Sequence, residues 1–290
     1  MIAWSPSCTR PRQAISAGIT PPNKTNNRET PVMSDIAADQ LRSHLKAGEP
    51  VELFWFSTGS PALVEIAAAA KPQAIMLDAQ HGLWTREGLE WTAGQLEGRV
   101  PLLIRTTDLG APAVTSALDA GAIGVLAPMV ETADQALAFV AAARFAPEGR
   151  RSGGGIRPLK SDFARYYMES RAQTVVGVMI ETRAALENVE QIAAVPGLDF
   201  LFIGTGDLAL SMGEFPVPSP AYEAALTHVR EVAAAAGLPC GIFTGDEVDA
   251  RRRIKEGFSI AVSANDISVV AKGFATAAPL RDTGPDRPAA

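Results

Sequence analysis

The sequence predicts an α/β fold, a (β/α)8 barrel, from three observations. Eight short apolar runs rich in Val, Ile, Leu and Phe alternate with Ala-rich stretches whose apolar residues recur at three- and four-residue spacing. The runs are apolar on both faces, as in a parallel sheet covered on both sides. They fill about 240 residues with no linker between them, the span of a single barrel. A doubly wound open sheet is the alternative arrangement of the same units.

The runs are 51–57 (VELFWFS), 74–79 (AIMLDA), 101–106 (PLLIRT), 124–130 (GVLAPMV), 175–181 (VVGVMIE), 199–204 (DFLFIG), 239–244 (PCGIFT) and 259–264 (SIAVSA). Helices are expected after them, for instance over 61–70, 132–144 and 220–236, with Gly121, Gly197, Gly237 and Gly257 placed as stops. The longest irregular stretch, 146–168, holds Arg150, Arg151, Gly153–Gly155 and Arg157 and is expected to be a lid or binding loop. One domain is expected over 35–278. Residues 1–34, rich in Pro, Ser, Thr, Asn and Arg without apolar period, are expected to be a disordered extension, and 279–290 (PLRDTGPDRPAA) a disordered tail. No apolar core of a secretory signal follows Met1; Arg10, Arg12 and Arg28 fit a transit peptide, and translation from Met33 is the simpler expectation.

A formal charge of −6 and a pI near 5.2 argue against nucleic acid or an anionic membrane as partner. Mean hydropathy is +0.09, and charges or turn residues interrupt every apolar stretch before membrane-spanning length. Cys8 and Cys240 can form no disulfide framework and lack metal-site spacing, which fits a reducing cytoplasm. His44, His81 and His228 are the only histidines.

A barrel of this type builds its active site at the C-terminal ends of the strands. The second run ends in Asp78-Ala79-Gln80-His81-Gly82, the third in Arg105, the fifth in Glu181-Thr182-Arg183 and the sixth in Gly204-Thr205-Gly206-Asp207. Ionisable groups at an apolar mouth are costly to desolvate unless paired or metal-bound, so their convergence points to chemistry. Glu181 and Asp207 end adjacent strands and can share one hard divalent cation such as Mg²⁺, which often takes one or two carboxylates plus water and substrate. The structural alternatives are that Asp207 caps a helix beginning at Leu208 and that Glu181 pairs with Arg183 or another rim arginine. Asp78 is placed to orient the His81 imidazole for proton transfer. Arg105 needs an anion: either Glu181 or Asp207, or a substrate carboxylate or enolate.

Two further patterns are discounted. Gly204-Thr205-Gly206-Asp207-Leu208-Ala209 fits GxGxxA, but no acidic residue closes the next strand to hold a ribose; its amides at a helix N-terminus still suit a small anion. No lysine (24, 46, 71, 160, 255 or 272) ends an expected strand, which argues against imine catalysis.

At these residues the chain resembles the HpcH/HpaI aldolase family, the metal-dependent class II pyruvate aldolases, from about Gly48 to about Ala278. The resemblance rests on Gly59-Ser60-Pro61, Asp78-Ala79-Gln80-His81-Gly82, Pro128-Met129-Val130, Ile180-Glu181-Thr182 and Phe202-Ile203-Gly204 leading to Asp207-Leu208. Arg144-Phe145-Ala146-Pro147-Glu148-Gly149-Arg150-Arg151 is similar to the family's RYPPxGxRG stretch. It implies a barrel of the phosphoenolpyruvate/pyruvate superfamily type and a homo-oligomer, a hexamer exchanging its last helix. It also implies Glu181 and Asp207 as ligands of Mg²⁺, Mn²⁺ or Co²⁺, His81 as acid/base with Asp78 as its partner, and Arg105 on pyruvate. Gly204, Thr205, Gly206 and Asp207 then form the carboxylate cradle, and Asp119 reaches a neighbouring subunit's site. Met179 stands where many relatives carry Gln, Gln80 where Glu is usual, Gly204-Thr205-Gly206-Asp207 where Gly-Pro-(Ala/Ser)-Asp is usual, and SGGGIR (152–157) replaces the commoner GVG continuation.

The expected reaction is reversible aldol cleavage of a 4-hydroxy-2-oxo acid to pyruvate, or a close 2-oxo acid, and an aldehyde. Arg151 or Arg157 is expected to meet an acceptor carboxylate. A 2-oxo diacid decarboxylase or a citrate-lyase-β-like acyl-CoA lyase is the alternative on the same site, and a non-catalytic 2-oxo-acid-binding barrel the alternative of another class.

Overall fold

The structure, a computed structural model, describes residues 40–157, 162–216 and 219–277. Eight parallel strands pair in chain order: β1 (Val51–Phe56), β2 (Ala74–Asp78), β3 (Leu102–Arg105), β4 (Gly124–Ala127), β5 (Val175–Ile180), β6 (Phe200–Ile203), β7 (Cys240–Ile242) and β8 (Ile260–Asn265). β8 returns to β1 with Val51 opposite Ile260, so the sheet is closed and the open-sheet alternative falls. The expected 1–34 extension, the 279–290 tail and both ends of the 35–278 domain lie outside the described residues.

The helices are α1 (Leu41–Lys46), α2 (Pro61–Ala68), α3 (Arg86–Leu96), α4 (Ala111–Ala120), α5 (Ala133–Ala143), α6 (Phe163–Gln173), α7 (Arg183–Glu187), α8 (Val189–Ala193), α9 (Thr205–Met212), α10 (Pro220–Ala235), α11 (Glu247–Lys255) and α12 (Asp266–Ala277). Ser60, Thr85, Thr132, Thr182 and Ser219 cap α2, α3, α5, α7 and α10 by accepting first-turn amides, which is why those helices start there. The four expected glycine stops all have positive φ, from 71° to 113°. No described helix is long and apolar enough to cross a membrane.

Side-chain alternation divides the core in two. One set of strand residues faces the helices; the other, including Leu53, Trp55, Met76, Leu103, Met179, Phe200, Phe202 and Val262, fills the barrel. Leu41 and Leu45 of α1 join the interior set and close the N-terminal end. Following the same alternation two residues past Trp55, Met76, Leu103, Met179 and Phe202 gives Ser57, Asp78, Arg105, Glu181 and Gly204, which therefore stand at the barrel mouth.

Three expectations need correction. β4 ends at Ala127, not at Val130, because Met129 turns into the left-handed region (φ 54°). The stretch 146–168 is not loop throughout: α6 begins at Phe163, capped by Asp162. Nor do its described residues lie over their own chain's mouth. The connection from α5 to β5, which includes α6, begins and ends at the N-terminal ends of the strands, and Arg144, just before the stretch, donates to the carbonyls of Thr174 (2.7 Å) and Gly197 (3.2 Å) there.

Candidate active site

Asp78 and Arg105 end neighbouring strands in register, and they form a bidentate pair: Nε to Oδ1 at 2.8 Å and Nη2 to Oδ2 at 2.6 Å. Both are buried. Burial by itself raises the Asp78 carboxyl; the Arg105 guanidinium and the His81 N–H outweigh it and hold the group below the ordinary carboxylate value. The Arg105 guanidinium also lies 5.0 Å from the Trp55 ring centroid, and its Nη1 donates to Met179 Sδ at 3.8 Å. Arg105 thus pairs with Asp78 rather than with Glu181 or Asp207, and Met179 packs inside the barrel against it.

The main-chain N–H groups of Gln80 (3.1 Å) and His81 (3.2 Å) donate to Asp78 Oδ1, and the Ser57 hydroxyl donates to Oδ2 at 3.2 Å. Asp78 therefore grips the backbone of the His81 segment and not its imidazole, a correction to the expected ring contact. His81 itself is exposed on the rim.

Glu181 directly follows β5 and is fully buried. Its Oε1 accepts the main-chain N–H of Met129 at 2.6 Å, and Oε2 has no hydrogen-bond partner. The left-handed backbone of Met129 aims that N–H, a strained conformation of the kind that persists where surroundings enforce it. Burial pushes the Glu181 carboxyl above the ordinary value; Asp207 and Asp78 add to the rise, while the Met129 N–H and Arg105 oppose it. The alternative pairing with Arg183 is not made, since that side chain donates to the Met212 carbonyl at 2.9 Å. Gly204 is required beside this carboxylate: a Cβ there would stand 2.2 Å from Glu181 Oε2.

α9 begins at Thr205, so Asp207 lies within its first turn and is not the cap of a helix starting at Leu208. The cap position is Gly204, which offers no side-chain acceptor, and the first intrahelical bond found here is Leu208 N–H to the Gly204 carbonyl (3.0 Å). The amides of Thr205, Gly206 and Asp207 are left at the positive end of the helix. Thr205 is fixed from both sides, its hydroxyl donating to the Phe243 carbonyl (3.1 Å) and its own carbonyl accepting Tyr222 Oη (2.8 Å).

A buried carboxylate oxygen without a donor, coupled to a second carboxylate beside unpaired helix amides, suits a hard cation better than a proton or an arginine. Among the described residues no group of three or more His, Cys, Asp and Glu side chains is arranged to hold a metal. The set therefore fits an ion content with two carboxylates plus water and substrate, not a closed zinc site.

Asp119 lies in the last turn of α4, at the barrel's N-terminal end, and pairs with Arg151 at 2.9 Å. Arg151 is buried over the rings of Phe145 and Tyr166, and Arg157 donates to the Glu90 carbonyl. Neither arginine is brought to its own chain's mouth. Sequence reasoning gives no role to Trp55, Ser57 or Asp266, and Met129 enters it only within the Pro128-Met129-Val130 motif; extending the strand-end rule to the first and eighth strands finds Ser57 and Asp266, whereas the left-handed turn at Met129 leaves no signal of its own.

A model of the family described as HpcH/HpaI aldolase/citrate lyase matches residues 52–272, the whole barrel from β1 into α12. The chain belongs to that family. It is 34% identical over 238 residues to the hydroxypyruvate/pyruvate aldolase of Rhizorhabdus wittichii, covering 80% of this chain and 94% of the relative. It is 34% identical over 252 residues to the 4-hydroxy-2-oxovalerate aldolase of Novosphingobium aromaticivorans, covering 84% and 93%. A crystal structure of an HpcH/HpaI aldolase/citrate lyase family protein from Burkholderia cenocepacia superposes with a TM-score of 0.77 at 31% identity, covering 82% of this chain and 97% of that one. The HpcH/HpaI chain described here is thus an enzyme, a carbon–carbon lyase of the aldolase kind.

Proposed function

We propose that the enzyme reversibly cleaves a 4-hydroxy-2-oxo acid to pyruvate, or a close 2-oxo acid, and an aldehyde, using a divalent ion held by Glu181 and Asp207. The observation that carries this reading is the buried, donorless Oε2 of Glu181, coupled to Asp207 and facing the same mouth as Arg105. A bound Mg²⁺, Mn²⁺ or Co²⁺ supplies Lewis acidity toward the carbonyl of the donor.

The protein's own groups do the rest. The amides opening α9 bind the donor carboxylate. Arg105, held rigid by Asp78 and Trp55, places N–H donors where negative charge develops on the C2 oxygen. His81, carried on the segment that Asp78 grips, moves the proton between the C4 hydroxyl and solvent. The aldolases of R. wittichii and N. aromaticivorans, whose names specify hydroxypyruvate/pyruvate and 4-hydroxy-2-oxovalerate, support a short 2-oxo acid donor. We also propose a homo-oligomer of the cytoplasm: α12 exposes Ile267, Val269 and Phe274, and an oligomer would bring Asp119 to a neighbouring mouth.

The test is proton NMR of pyruvate in D₂O with enzyme and Mg²⁺, then with EDTA. Methyl exchange that requires metal and disappears in Glu181→Gln is the expected result. Exchange unaffected by EDTA, or retained in Glu181→Gln, removes the metal assignment; decarboxylation of oxaloacetate without pyruvate exchange replaces the aldolase reading with the decarboxylase one.

A further inference from the structure

We propose that Asp266, acting through Ser57, is a positioning residue for the loop that carries His81. On the aldolase reading above, that loop moves the substrate proton. Asp266 opens α12 immediately beyond β8 and is only 6% exposed. Its carboxylate does two jobs. Oδ1 accepts the N–H of Ile267 (2.9 Å), on its own helix, and the N–H of Ser57 (3.0 Å), just past β1. Oδ2 accepts both the N–H (2.9 Å) and the hydroxyl (2.6 Å) of Thr58. Four donors on two oxygens fix the carboxylate, and with it the main chain of residues 57 and 58.

Ser57 passes that constraint on. Its hydroxyl donates to Asp78 Oδ2 (3.2 Å), and its carbonyl accepts the N–H of Leu83 (2.8 Å). One residue earlier, the Phe56 carbonyl accepts the indole N–H of Trp84 at 2.9 Å. Segment 79–84 is thus held at its near end by Asp78, through the N–H groups of Gln80 and His81, and at its far end by residues 56 and 57. Both supports lead back to Asp266. The donor-binding groups Glu181, Gly204 and Asp207 lie just past β5, just past β6 and in α9, and share none of these hydrogen bonds.

That separation gives the role a signature. A general acid/base misplaced by about 1 Å loses on the order of a hundredfold in rate, whereas donor affinity depends on the other half of the mouth. Asp266→Asn keeps the volume but turns an N–H donor toward the donors of Ser57 or Thr58. Expected are a fall of about tenfold or more in kcat for aldol cleavage of 4-hydroxy-2-oxovalerate with Mg²⁺ and a change in KM under about threefold. Amide hydrogen exchange over 79–84 should quicken while strands β5 and β6 stay protected. Unchanged amide exchange over 79–84, or a kcat within about twofold of wild type, overturns the proposal. Should Asp266→Asn lose protection throughout the barrel, the pair Ser57→Ala and Ser57→Thr decides. Loss of kcat in the first with recovery in the second, which keeps the hydroxyl, supports the relay, and wild-type kcat in Ser57→Ala overturns it. If the wild-type enzyme exchanges no pyruvate protons, the aldolase reading falls, yet the amide exchange of Asp266→Asn still decides what holds 79–84.

Discussion

Two of the carboxylates the barrel buries, Asp199 at its N-terminal end and Glu181 at its mouth, are treated in opposite ways. At the N-terminal end, Asp199 Oδ1 accepts Arg42 Nε at 2.7 Å, while Oδ2 accepts Arg144 Nη2 at 2.7 Å and the N–H of Val176 at 2.9 Å. At the mouth, Glu181 receives one main-chain N–H and keeps a whole oxygen without a donor. A chain selected only for stability would complete both sites, since an unpaired buried charge costs far more than a satisfied one. The difference marks the N-terminal end as architecture and the mouth as a place where a ligand supplies what the protein withholds. Concavity alone would mislead: clefts of about 400 and 680 Å³ lie near the N-terminal end, lined by residues such as Ile123, Thr174, Pro196 and Gly197.

The contrast is broken most sharply at Glu181. Glu181→Gln retains an oxygen for the Met129 N–H and removes the uncompensated charge. Turnover should fall by about a thousandfold or more, on the scale of losing a central electrostatic group. Melting of the metal-free protein should hold steady or rise by a few degrees, since about 1 kcal/mol is worth roughly 2–4 °C at this size. A variant that is both inactive and strongly destabilised would make Glu181 a structural residue. The complementary change, Asp199→Ala, strands Arg42 and Arg144. It should cost about 3–5 kcal/mol in a denaturant titration while leaving kcat per folded molecule near wild type.

How legible each end was in the sequence follows from the same physics. Asp78, Arg105 and Glu181 could be found because strand periodicity and the strand-end rule place them, and the observed register sets Asp78 against Arg105. Asp207 is legible in the sequence, but the expected helix starts at Leu208, because the amides of Thr205 and Gly206 open α9 without a capping side chain to announce it. The Asp78–His81 spacing suggested a ring contact, whereas a tight turn puts the main-chain amides nearer the carboxylate. The expectation that Arg151 or Arg157 meets an acceptor carboxylate follows from reading 146–168 as a lid, although the connection from α5 to β5 begins and ends at the opposite end of the barrel. Their partners, Asp119 and the Glu90 carbonyl, lie far along the chain and have no local signature.

A pH series with and without metal sharpens the comparison at Glu181. With its carboxyl raised above the ordinary value by burial, this group stabilises the metal-free fold below the ordinary glutamate pKa. That contribution is lost as pH rises through the raised folded value. Metal needs the ionised form, so its stabilisation runs the other way and grows over the same window. The increment in Tm produced by saturating Mg²⁺ should therefore be several degrees larger at pH 8 than at pH 5. Taking the increment at each pH removes Asp78, whose lowered pKa withdraws stability in the opposite direction, as pH falls through its folded value. An increment independent of pH would mean that protons and metal do not compete for Glu181.

The smallest effect is at Met129, where the mouth holds a non-glycine residue at φ 54° to aim one N–H at Glu181. A left-handed L-residue costs about 1–2 kcal/mol, and glycine relieves it while adding about 0.5–1 kcal/mol of unfolded-state entropy. Met129 is 43% exposed, so truncating it forfeits little burial. Met129→Gly should then be more stable by about 0.5 kcal/mol, with the Glu181 contact kept because it is made by the backbone. Its catalytic reading divides two roles that coincide at this residue. Undiminished kcat leaves the N–H as the whole contribution of Met129, whereas a rise in KM for the aldehyde with kcat for pyruvate exchange unchanged assigns the thioether side chain to the acceptor.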